Sequence, residues 1–262
     1  MVRPSKGTRM SPIVLHIPHA SQTIPEDVRS TFLPDAVTIE HELLIMTDAW
    51  TEEVVAGFGP EAARVIFPVS RLVVDPERFR DDADEPMAAR RMGATYTRLS
   101  TGEPLRTLGE TERRRLMETY YDPHHARLEN AVADALMRFD CCIIVDVHSF
   151  SSTPLPHEPD QTVPRPELCI GFDRFHSPFA KTAALWRICE ENGFCVDLNR
   201  PFSGRIVPHR YWNADRRVRS LMLEIRRDLY MIEATGRKRT DFSAIAGRLC
   251  SLIGRFTRCW AS

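Results

Sequence analysis

The sequence predicts an α/β fold: a single three-layer α/β/α domain, residues 1–262, around a mixed, largely parallel central sheet. Short β-branched apolar runs alternate with longer amphipathic segments along the chain, as strands and helices do when taken in turn. One run, Cys141-Cys142-Ile143-Ile144-Val145, is apolar without alternation, as expected of a strand buried on both faces in mid-sheet. The 262 residues, 43% of them hydrophobic, suffice for one large domain with a full core.

The elements follow in order. Ile13-Val14-Leu15 is a short strand, and residues 16–21 form a loop because Pro18 cannot continue a central ladder. Pro25 opens a short helix through Val28 and Phe32. Residues 37–57 carry apolar side chains at helical spacing, and Gly57, Gly59 and Pro60 stop the helix. Residues 63–67 are a second strand and Leu72-Val73-Val74 a third. Residues 80–108 are charged and aperiodic, which predicts a long loop or insertion near the site.

Residues 111–138 are a strong helix, kinked or split at Pro123. The central strand ends in Asp146, His148 and Ser149, and a Pro-rich loop covers residues 153–166. Residues 168–171 are a strand, 178–192 a helix closed by Gly193, and 194–198 another strand. After a loop over 199–211, a strand over 220–225 ends in Glu224. Residues 241–260 form an amphipathic C-terminal helix.

The charge balance, 35 basic against 36 acidic side chains, supplies no field to collect nucleic acid or anionic lipid. The basic cluster Arg216-Arg217-Val218-Arg219 comes without a nucleic-acid motif. Seven cysteines without a CxxC spacing point to a reducing, cytoplasmic setting and no disulfide framework. The basic first ten residues lack a following apolar segment, so no signal peptide is expected, and no run is long enough to span a membrane. HExxH, GxSxG, Walker and GxGxxG patterns are all missing, which removes helical zincins, serine hydrolases, P-loop NTPases and Rossmann dehydrogenases.

Polar groups recur at the ends of the apolar runs. His16 and His19 follow the first; Arg71, Asp75 and Arg78 bracket the third; Asp146 and His148 end the central strand; Glu224 ends a later one. Together they describe one polar rim at one edge of a sheet, where α/β folds bind ligands. Two histidines and a carboxylate with one open position are the usual catalytic zinc set, and a further carboxylate can activate water beside it.

These residues carry a resemblance. Ile17-Pro18-His19, Thr47-Asp48-Ala49-Trp50, Ser70-Arg71, Val73-Val74-Asp75-Pro76-Glu77-Arg78, Gly102-Glu103-Pro104-Leu105, Tyr120-Tyr121-Asp122-Pro123-His124-His125, Asp146-Val147-His148-Ser149, Phe202-Ser203-Gly204-Arg205-Ile206, Leu223-Glu224 and Leu229-Tyr230-Met231 occur in the order and spacing of one family. Over residues 16–231 the chain resembles the N-formylglutamate amidohydrolases, distant relatives of zinc carboxypeptidases and of the aspartoacylase group. The resemblance implies a phosphorylase/hydrolase-like architecture and a zinc-dependent hydrolase of amino-acid catabolism, with one Zn²⁺ per chain. Its substrate would be a small N-acyl acidic amino acid such as N-formylglutamate.

Carried over position by position, the resemblance makes His19, Asp48 and His148 the metal ligands and Glu224 the general base. Arg71 and Arg78 would clamp a substrate carboxylate, which suits the planar guanidinium fork. His125 would contact the substrate or the developing oxyanion, and Asp146 would orient a ligand histidine. Each position has a plainer reading. His19 is then a loop residue, Asp48 a solvated helix acid, and Glu224 a salt-bridge partner of Arg226 or Arg227. Arg71 and Arg78 pair with Asp75 or Glu77, and His125 sits on a helix surface.

Three positions depart from the family pattern. Its DLNR is here Asp75-Pro76-Glu77-Arg78, its paired glycines are Gly204-Arg205, and His124 stands where an aromatic is common. Arg205 offers a new cation toward substrate, and Glu77 places an acid where an amide is expected. These departures leave the acyl group open. They also motivate a second reading, a non-catalytic relative that binds an acidic metabolite or a partner protein.

Overall fold

The structure, a computed structural model, describes residues 11–59 and 61–261. The basic first ten residues, and the helix stop assigned in part to Pro60, lie outside them.

The central sheet is built from β1 (Ile13–Ile17), β2 (Ala63–Ile66), β3 (Cys142–Phe150), β4 (Leu168–Gly171), β5 (Val196–Leu198) and β6 (Val218–Arg226). Their order is β2-β1-β3-β6-β4-β5. The first four in that order run parallel, β4 runs antiparallel to β6, and β5 follows β4. The sheet is therefore mixed and mostly parallel, with the predicted central strand β3 between β1 and β6. A small hairpin, β7 (Met231–Ile232) and β8 (Arg237–Lys238), lies apart from it.

The helices are α1 (Glu26–Arg29), α2 (Ala36–Met46), α3 (Thr51–Val54), α4 (Glu110–Leu116), α5 (Asp122–Phe139), α6 (Phe179–Glu191) and α7 (Phe242–Ala261). α5 packs against β1, β2 and β3. α3 and α7 pack on β3 and on each other, and α6 packs on α7. Alternation along the strands sorts the residues between these two layers. Leu15 and Ile17, Val145 and Val147, and Leu221 and Leu223 join Leu249, Leu252, Phe256 and Trp260 of α7 in one core. Val14, Ile144 and Val218 join Leu128 and Val132 of α5 in another. A third core lies under α2 and the chain from Phe67 to Leu105, centred on Leu72, Val74, Tyr96 and Leu105.

The departures from expectation have local causes. The helix over 37–57 is two helices, broken at Thr47–Trp50, where Thr47 turns extended and Trp50 takes φ 67°. Leu72-Val73-Val74 is not a strand but a buried irregular segment; Arg106 Nη2 donates to the Val73 carbonyl at 2.8 Å in place of a ladder partner. At Pro123 the helix is interrupted by a π-helical turn, Met117–Tyr121, which accommodates the missing N–H before α5 begins. β1 continues through His16 and Ile17, so His16 is a strand residue rather than a loop residue, and β3 runs on through Phe150, with Asp146 and His148 in the strand as expected. Residues 80–108 are irregular apart from the 3₁₀ turn Pro86–Arg90. No disulfide forms among the described residues.

Candidate active site

Strand alternation also builds the site. On the α5 face, beyond Val14, Ile144 and Ser220, the next outward positions are His16, Asp146 and His148, and Met222 and Glu224. His16 pairs in register with Asp146, and His148 with Glu224. Four polar side chains thus leave the carboxyl half of three adjacent parallel strands on one face. His19 follows β1 in the loop, and Asp48 lies in the break after α2. The Asp48 N–H donates to the His19 carbonyl at 3.0 Å, which locks the two segments together.

His19, Asp48 and His148, all buried, each present a ligand atom within 4.8 Å of the others. His148 Nδ1 lies 3.2 Å and His19 Nδ1 3.5 Å from Asp48 Oδ2. Each opposite nitrogen faces a carboxylate behind it. His19 Nε2 donates to Asp75 Oδ1 at 2.8 Å, and His148 Nε2 lies 3.0 Å from Asp146 Oδ1. Both imidazoles therefore turn Nδ1 toward one point, and His19 Nδ1 is buried there without a hydrogen-bond partner. A nitrogen–nitrogen–carboxylate set with carboxylate-backed histidines fits a zinc ion.

The surrounding charges keep the carboxylates ionised. Burial opposes charge on Asp48, but the hydrogen bond from His148, the adjacent His19 and the Arg227 cation outweigh it and hold the group well below the usual range. Arg227 Nη2 donates to Asp48 Oδ1 at 3.0 Å, and its Nε donates to Ser149 Oγ. Burial likewise opposes charge on Asp75; Arg71, His19 and Arg78 outweigh it. Arg71 Nη2 donates to Asp75 Oδ2 at 2.7 Å, and the Tyr96 hydroxyl donates to the same oxygen. Asp146 is similarly lowered against its burial by His148 and His16.

Glu224 differs. Burial pushes its carboxyl up to about 8 against the pull of His148, and Oε2 has no hydrogen-bond partner. Arg227 is engaged with Asp48, and Arg226 with Asp228, so neither pairs with Glu224. Glu224 lines the same cleft as His19, Asp48 and His148, a hollow of about 790 Å³ that also takes in Arg71, Glu77, Arg78 and Arg205. A smaller hollow of about 430 Å³ between β2 and α5 contains none of these groups.

The other expected site residues are placed as follows. Arg71 is committed to Asp75. Arg78 lies 3.6 Å from Asp75, with its Nε buried and lacking a hydrogen-bond partner. Arg205 is paired with Asp173 and stacks 4.1 Å above the Trp212 ring. Asp146 lies behind His148 and His16 rather than in the cleft. His125 is absent from the cleft lining; its Nε2 is 3.0 Å from the Pro76 carbonyl, and its ring packs 4.2 Å from Tyr121. A second trio, His16, Glu77 and Asp146, also lies within 4.8 Å. Both His16 nitrogens are already engaged, Nδ1 with Asp146 at 2.7 Å and Nε2 with His124 Nε2 at 2.8 Å.

Three contributors escaped sequence reasoning. Asp75 entered only as a pairing partner of Arg71 or Arg78, and nothing local signals that it also stands behind His19. Arg227 reaches Asp48 across 179 residues, which no spacing reveals. The Pro-rich segment after β3 brings Leu155, His157 and Glu158 to the cleft.

The N-formylglutamate amidohydrolase family profile matches residues 11–231. No curated protein matches the chain. Among solved structures, N-formylglutamate amidohydrolase from Ralstonia eutropha superposes with a TM-score of 0.84 at 22% identity, covering 96% of this chain and 95% of that one. A gene product from Agrobacterium tumefaciens superposes with a TM-score of 0.64 at 21% identity, covering 96% and 92%. At these identities the superpositions speak for the fold, while the match over most of the length speaks for descent: the chain belongs to the N-formylglutamate amidohydrolase family.

Proposed function

We propose that the chain is a zinc-dependent amidohydrolase that cleaves the amide bond of an N-acyl acidic amino acid, releasing the free amino acid and a carboxylic acid. The observation that carries this reading is the convergence of His19 Nδ1, His148 Nδ1 and Asp48 Oδ2 beside a buried, unpaired Glu224. Zinc held by those three side chains supplies Lewis acidity toward a carbonyl and acidifies water.

The remaining chemistry belongs to the protein. Glu224 takes the proton of the attacking water and later returns it to the leaving amine, a role for which a pKa near neutrality is suited. Burial raises that value in the protein alone, and a divalent cation held by His19, Asp48 and His148 would lower it. Asp75 and Asp146 hold the two histidines in the tautomer and orientation that face Asp48. Arg78, with an unsatisfied buried Nε, receives the carboxylate of the substrate, and Arg71 shares the positive charge of that end. Among the described residues no helix is long and apolar enough to cross a membrane. On the hydrolase reading the chain is a cytoplasmic enzyme of amino-acid catabolism acting on a small molecule.

The test is amine release from N-acyl glutamates and aspartates by purified protein, with and without zinc. Zinc-dependent release, abolished by chelation and restored by the metal, supports the reading. A protein that binds no stoichiometric zinc and stays inert when zinc is supplied refutes it.

A further inference from the structure

The cleft is much larger than a formyl group needs, and its two ends differ in chemistry. One end holds Arg71 and Arg78, with Arg78 Nε unsatisfied. The other is aromatic. Phe150 and Phe202 meet edge to face with ring centroids 5.7 Å apart, and Phe172, Met222 and Trp212 complete the wall. The reacting centre lies between the ends. Asp75 links His19 to the arginine end, while Met222, two residues before Glu224 on the same strand face, belongs to the aromatic end.

At the aromatic end the nearby guanidinium groups are paired with carboxylates. The Arg165 guanidinium stands 5.3 Å from the Phe150 centroid and 5.5 Å from that of Phe202. Arg165 is itself paired with Glu158, and Arg205 with Asp173. The Phe202 carbonyl accepts from Cys169 Sγ at 3.1 Å, which fixes the loop to β4. At Gly171 a Cβ would come within 2.5 Å of the Gly204 carbonyl oxygen, so loop and strand are in close backbone contact. A second carboxylate at this end would find each nearby guanidinium already neutralised. An aryl ring would find faces and edges to pack on.

Resting on the hydrolase reading above, we infer that the acyl group this enzyme takes is aryl-bearing rather than formyl. The amino-acid carboxylate lies at Arg78, the scissile amide at the centre, and the acyl ring against Phe150 and Phe202. Water adds its oxygen to the acyl carbon, the C–N bond breaks, and the amine leaves with the proton. The products are an aryl carboxylic acid and a free amino acid.

The experiment compares N-formyl-, N-acetyl-, N-succinyl- and N-phenylacetyl-L-glutamate with the zinc-loaded protein by amine release. N-phenylacetylglutamate is expected to exceed N-formylglutamate in kcat/KM by about tenfold or more, the discrimination that a well-formed apolar pocket supplies. Equal or faster turnover of the formyl or succinyl compound overturns the inference and leaves the hydrolase reading standing. No turnover of any member removes both. Phe202→Ala is expected to lower the phenylacetyl-to-formyl ratio about tenfold, and Phe202→Leu by less; a ratio unchanged in both variants overturns the wall assignment.

Discussion

His148 and Glu224 sit side by side on adjacent parallel strands, in register, one facing Asp48 and the other left without a hydrogen-bond partner. The proposed metal ligand and the proposed proton carrier thus both stand on central strands of the sheet. Glu224→Gln keeps the shape and removes the base. The expected result is retention of bound zinc with kcat down by about 10²–10⁴-fold. Metal analysis alongside amine-release kinetics checks both halves; undiminished turnover in the zinc-loaded variant defeats the role.

Asp75 supports the site from behind by accepting from His19 Nε2. Asp75→Asn leaves the volume unchanged but loosens the histidine and strips Arg71 of its partner. Zinc affinity is expected to fall about 10–100-fold, as for other carboxylates behind ligand histidines. Competition with a chelator of known affinity reads the change, and an unaltered affinity argues against the support role.

Arg78 is a cleft cation whose buried Nε lacks a hydrogen-bond partner. Arg78→Leu is expected to raise KM for an N-acyl glutamate about a hundredfold, with Arg78→Lys intermediate because a point charge replaces the fork. Equal KM values across the three proteins would place the substrate carboxylate elsewhere.

His124 gives a pH prediction. Burial lowers its pKa to about 2, helped by His16 and His125, so the folded protein keeps it neutral. The unfolded chain protonates it near 6.5, so this part of the stability is complete above that value. It drains as the pH falls through the window between 6.5 and 2. The loss is at most about 1.4 kcal/mol per pH unit from this residue. His124→Phe is expected to flatten the fall in stability between pH 7 and pH 5, measured by urea unfolding. The slope is the readout, because the lost bond to His16 lowers stability at every pH.

In the core, Leu252 and Phe256 of α7 are fully buried among strand residues. Leu252→Ala is expected to cost about 2–5 kcal/mol and Phe256→Ala about 3–5 kcal/mol, read from denaturant midpoints. A cost below about 1 kcal/mol would mean that α7 is loosely docked.

Where periodicity and local chemistry decide structure, the sequence was readable. β3 showed as an unbroken apolar run, and α7 as a stripe that ends up against the sheet. Where partners are distant, it was not. The break at Thr47–Trp50 is held by Asp48 meeting Arg227 and His19, groups far away in the chain, so local spacing suggested one continuous helix. Leu72–Val74 has the composition of a strand, yet its polar backbone is served by Arg106. Nothing local signalled that β4 would run against β6. The meeting of His19, Asp48 and His148 likewise came from family resemblance, because only the folded chain brings a strand, a loop and a helix break to one point.

The alternation along β3 has a consequence for how the molecule is put together. Asp146 and His148 share a face, while Val145 and Val147 share the opposite one. Sliding β3 by a single residue against β6 would thrust an acid and an imidazole into the greasy layer of α7 and turn the valines out toward the histidines. Misaligned assembly is thus penalised by the same side chains proposed to perform the chemistry, and correct closure of the sheet sets His148 and Glu224 side by side before His19 and Asp48 join them from the segments after β1 and α2.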